Sequence, residues 1–80
     1  MRHVRILYFA MLRDAAGMAA EEVATDAADM AALYAELQAR HALPFPQRQL
    51  RVAVDGAFSR WDAPVHEGCE IAFIPPVSGG

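Results

Sequence analysis

The residues best placed to do chemistry close the sequence: Pro75, Pro76, Val77, Ser78, Gly79 and Gly80. Gly79 and Gly80 carry no Cβ and reach backbone conformations closed to other residues. The α-carboxylate of Gly80 is therefore the least hindered a chain can present, suited to a channel too narrow for side chains. The prolines act in the opposite sense. They fix φ, remove backbone donors and hold the base of the tail extended. From Pro75 to Gly80 such a tail spans roughly 20 Å at about 3.3 Å per residue. A frayed chain end also tolerates glycine. The stiff Pro-Pro base, joined directly to the apolar run Ile71–Ile74, weighs toward a functional tail.

The other residues offer no competing chemistry. The single cysteine, Cys69, excludes an internal disulfide and a cysteine-based metal cluster, and is expected to be a small, inert, partly buried thiol. His3, His41 and His66 lack metal-ligand spacing and are expected to be solvated, so no metal is expected. Without paired carboxylates, a phosphate loop or a nucleophile elbow, the chain is not expected to be an enzyme on its own.

Net charge is −3, and the 7 basic residues are all arginine. They form no basic stripe, so nucleic acid is not an expected partner. The absence of lysine leaves no ε-amine for self-linkage through Gly80. No apolar run approaches the roughly 20 residues that span a bilayer. Met1-Arg2-His3 leads straight into strand-like sequence without a signal-peptide pattern, so no membrane association and a cytoplasmic location are expected.

Eighty residues fit one domain. Val4 to Ala10 is β-branched and aromatic, predicting a strand with Val4, Ile6 and Tyr8 on one face and Arg5, Leu7 and Phe9 on the other, wetter face. A short helical turn over Met11 to Ala16, capped by Gly17, and an edge strand over Ala20 to Thr25 follow. Asp29 is a good N-cap for a helix to about Arg40, with Met30, Leu33, Tyr34 and Leu37 on its core stripe. Leu43 to Gln49 reads as a loop. Leu50 to Val54 and Ala57 to Arg60 read as strands around an Asp55-Gly56 turn. The last strand, Glu70 to Ile74, follows a Glu67-Gly68 turn. It should bury Ile71 and Phe73, place Ala72 and Ile74 opposite, and end at Pro75. The class is α+β, one mixed sheet packed on one main helix.

Three stretches carry a family resemblance: Val4 to Arg13, Val52 to Gly56, and Gly68 to Gly80. The sequence resembles the small subunits of molybdopterin synthase, a family of sulfur carriers with the ubiquitin-like β-grasp fold. The likeness spans the whole domain, and the strand running into Pro-Pro-Val-Ser-Gly-Gly is its specific part. Cys69 stands where the family usually has aspartate. The resemblance implies a β-grasp domain over residues 1–74 and an extended tail over 75–80.

It also implies a chemistry. A free carboxylate is a poor electrophile, so an E1-like adenylyltransferase would use ATP to convert the Gly80 carboxylate to an acyl-adenylate. A sulfurtransferase or cysteine desulfurase would then supply sulfur and leave a Gly80 thiocarboxylate. The tail would enter the large synthase subunit, in a heterotetramer, and donate sulfur to the cyclic pyranopterin precursor of the molybdenum cofactor's dithiolene. By resemblance Gly79 is the slim neighbour of Gly80, while Pro75, Pro76, Val77 and Ser78 lie in the partner's groove. Leu7, Phe9 and Ile74 would form an apolar docking patch, with Arg13 at its rim, unless the short helix folds over it. No cofactor is expected on the chain itself. The competing expectations are a β-grasp carrier for thiamine, cysteine or tRNA thiolation, and a ubiquitin-like modifier or interaction module.

Overall fold

The computed structural model describes residues 1–76. The chain runs β1 (Arg2–Tyr8), α1 (Ala10–Ala16), β2 (Ala20–Thr25), α2 (Met30–His41), a 3-10 turn (Gln47–Gln49), β3 (Arg51–Val54), β4 (Ala57–Ser59) and β5 (Glu70–Ile74). The strands form one 5-stranded sheet in the order β2-β1-β5-β3-β4. The first and last strands are thus central neighbours and run parallel, while the other pairings are antiparallel. Parallel pairing makes β1 and β5 finish at the same end of the sheet, so the tail leaves beside the start of α1.

One face of the sheet is packed. Val4, Ile6, Tyr8, Val52, Ile71 and Phe73 join Met30, Leu33, Tyr34 and Leu37 of α2 in a single buried cluster. Aromatic contacts fasten the two layers. Trp61 stacks on Phe73 at 5.9 Å, and Tyr34 meets the Phe73 ring edge-on at 5.0 Å. Asp29 caps α2 as expected, its Oδ1 accepting from the Ala32 N–H at 2.8 Å. The Tyr34 hydroxyl and the Gln38 amide both donate to the Phe45 carbonyl, which ties down the proline-containing loop. At Asp55 and Gly56, φ is 51° and 87°, the paired positive values of a type I′ hairpin.

Three expectations need correction. β1 ends at Tyr8, not Ala10, because Ala10 takes a positive φ of 50° that turns the chain into α1 and leaves Phe9 as its N-cap. His41 is not a solvated surface residue. Only 13% of its side chain is exposed, and its Nε2–H donates to Glu21 Oε1 at 2.9 Å. Cys69 lies deeper than expected, buried against the core cluster.

Glu21 gathers three donors. The Tyr8 hydroxyl and His41 reach Oε1, each at 2.9 Å, and Arg40 reaches Oε2 at 3.5 Å. Burial pushes the Glu21 carboxyl up, but the bonds from His41 and Tyr8 and the nearby cationic charge outweigh it and hold the group below its ordinary value. Burial, followed by the Glu21 bond, drives the Tyr8 phenol well above its own. Because the folded carboxyl titrates low, its stabilisation is complete above the ordinary glutamate range and is lost as pH falls through the lowered value. Glu21→Gln should therefore cost about 1–2 kcal/mol at neutral pH. The cost should shrink as pH falls through that lowered value and the wild-type carboxyl also protonates. Urea midpoints from pH 7 to 3 check this, and a penalty that persists undiminished at pH 3 would refute it.

Candidate functional site

The register of the sheet builds the face away from α2. One row across it reads Ala20, Leu7, Ala72, Ala53 and Phe58. On its tail side Arg51 pairs with Ile74, and Phe9 follows Tyr8 at the level of Ile74. On its other side Arg5 lies between Glu22 and Glu70, at 3.6 and 3.7 Å from their carboxylates. An apolar band thus starts at a neutralised charged row and ends where the tail leaves.

The expected docking residues occupy this face in different degrees. Phe9 is 46% exposed, whereas Leu7 and Ile74 are half-buried. Ala72 is on this face as expected, yet buried between its larger neighbours on the central strands. Helix α1 does not cover the patch. It sends Leu12 into the core and leaves Met11 and Phe9 outside. Arg13 is exposed, with no acidic partner within salt-bridge distance among the described residues.

Phe58 escaped the reading of the sequence. It is the most exposed aromatic residue on this face, at 68%. Its signal was nevertheless present, since a two-residue Asp55-Gly56 turn sets Phe58 opposite Ala53 and so on the outer side.

Pro75 is half-buried and Pro76 exposed at the root of the tail. Val77, Ser78, Gly79 and Gly80 lie outside the described residues. Among the described residues no three His, Cys, Asp or Glu side chains gather as a metal site. No helix there is long and apolar enough to cross a membrane. The arrangement offers an apolar face for contact, with the root of the tail at its border.

The sequence matches the ThiS family over residues 6–80. The chain belongs to the ThiS family. A relative of this ThiS-family chain, the molybdopterin synthase sulfur carrier subunit of Escherichia coli (strain K12), is 38% identical over 80 residues. That match covers 96% of this chain and 99% of the relative. Among solved structures, SAMP1 from Haloferax volcanii superposes with a TM-score of 0.81 at 25% identity, covering 98% of this chain and 99% of that one. The complex of subunits 1 and 2 of the molybdopterin-converting factor from Helicobacter pylori contains a chain with a TM-score of 0.67. At 23% identity, covering 98% of this ThiS-family chain and 99% of that one, this likeness is one of fold. The fold is the ubiquitin-like β-grasp.

Proposed function

We propose that the chain is the sulfur carrier subunit of molybdopterin synthase, bearing its sulfur on Gly80. The observation that carries this reading is the coincidence of the exposed apolar band with the root of a Gly-Gly tail, in a chain 38% identical to such a subunit. A partner that binds the band receives the tail at its border.

The chemistry proceeds in three steps. The Gly80 carboxylate attacks the α-phosphate of ATP on an activating enzyme, giving acyl-adenylate and pyrophosphate. The terminal sulfur of a persulfide displaces AMP. A second thiol then cleaves the resulting acyl disulfide at its S–S bond, itself ending in a disulfide, and leaves the thiocarboxylate. Docked on the large subunit, the tail delivers this sulfur to the cyclic pyranopterin precursor. ATP belongs to the activating enzyme, and the setting is the cytoplasm.

Incubation with ATP, an activating enzyme and a sulfur donor, followed by mass spectrometry of the isolated C-terminal peptide, tests the proposal. Sulfur in place of one oxygen on Gly80, trapped by alkylation, is the expected result. An unmodified carboxylate, under conditions that load a known carrier, would refute it. The likeness to SAMP1, a small archaeal modifier protein, supports a second reading in which Gly80 forms amide bonds to other proteins. Conjugates on partner lysines, in place of transferable sulfur, would favour that reading.

A further inference from the structure

Two arginines of the sheet stand on the outer face, and they are treated oppositely. Arg5, at the end far from the tail, is flanked by Glu22 and Glu70 and its charge is compensated within the chain. Arg51, at the tail end, pairs with Ile74 in the ladder and has no carboxylate within salt-bridge distance among the described residues. Its guanidinium rests over the Phe58 ring, 5.5 Å from the centroid. A cation placed on an aromatic face is held in position while its outward N–H groups stay unspent. In a chain of net charge −3, an uncompensated guanidinium held at the border of the apolar band is a local reversal of sign.

We propose that Arg51, seated on Phe58, is a charged contact of the docking face and pairs with a carboxylate on the surface of the large synthase subunit beside the mouth that admits the tail. The inference rests on the outer face being the docking face described above. Charge complementarity sets the partner's chemistry: an apolar patch to cover Phe9, Phe58 and Ile74, bordered by an aspartate or glutamate. A guanidinium offers two parallel donors to one carboxylate, which fixes the angle at which the sheet is grasped as well as adding attraction. Such a border contact acts chiefly on the association rate and on its salt dependence.

The test measures binding of the full chain to the large molybdopterin synthase subunit, for wild type, Arg51→Gln and Arg51→Glu, at low and high salt. Arg51→Gln should weaken binding about 5-fold at low salt, as for an exposed ion pair. Arg51→Glu should weaken it on the order of 100-fold, because it sets like charges together. Both differences should contract sharply near 1 M salt, where the Debye length is only about 3 Å. Arg2→Gln, at the opposite end of β1, should bind as wild type does. Equal affinity for all Arg51 variants, with wild type still binding, overturns this inference and leaves the sulfur-carrier reading standing. Failure of the wild type to bind at all overturns both. Saturable binding of ATP or inorganic phosphate that depends on Arg51, with large-subunit affinity unmoved, also overturns it and assigns the cation to a phosphate. Unchanged urea midpoints confirm that each variant is folded.

Discussion

Phe73→Ala is expected to remove a large share of this domain's stability. Phe73 is fully buried in the middle of β5, stacked on Trp61 and touched edge-on by Tyr34. Truncating such a ring costs about 3–5 kcal/mol, through lost transfer energy and the cavity left behind. A domain of this size has roughly 4–12 kcal/mol in total, and each kcal/mol moves its melting temperature by about 4–8 °C. Circular dichroism should show a drop on the order of 20 °C and an earlier urea transition. A change under about 1 kcal/mol would mean that the aromatic contacts between sheet and helix do not hold the layers together. Phe58→Ala is the informative contrast, since its ring is largely in solvent on the other face. Removing it should move stability by no more than about 0.5 kcal/mol. Two phenylalanines on neighbouring parts of one sheet thus separate the surface that holds the chain together from the surface it offers.

That division was partly legible in the residues. Alternation in the first and last strands identified which side chains face the core, because a period of two leaves little freedom once one face is buried. Asp29 and the stripe Met30, Leu33, Tyr34 and Leu37 located α2 for a similar local reason. The end of β1 was not legible, since nothing in the residue type of Ala10 demands a positive φ. The turn there lets Leu12, two residues on, reach the core. The Tyr8–Glu21–His41 cluster was also hidden. It depends on Glu21 pairing with Ile6 across β1 and β2 and on the far end of α2 returning to that edge. Arg51 escaped for the same reason: its neighbours on the outer face come from β4 and β5.

Deleting Gly80 is expected to abolish sulfur transfer while leaving the fold as it is. Among the described residues the sheet ladder ends at Ile74, well before the residue removed. The melting temperature should therefore match wild type closely. The reacting carboxylate, however, would retreat by about 3.3–3.6 Å, the length of one extended residue. Misplacing a reacting group by about 1 Å can cost roughly 100-fold, so transfer should fall by at least that factor. The shortened chain should still bind the large subunit, because the apolar band and Arg51 are intact. Activity, binding and unfolding measured on the same preparation separate the possibilities. Retained transfer would show that the last glycine is not the sulfur-bearing residue. Lost cooperative unfolding would instead place the tail within the structural core and undo the division between a folded scaffold and the tail it carries.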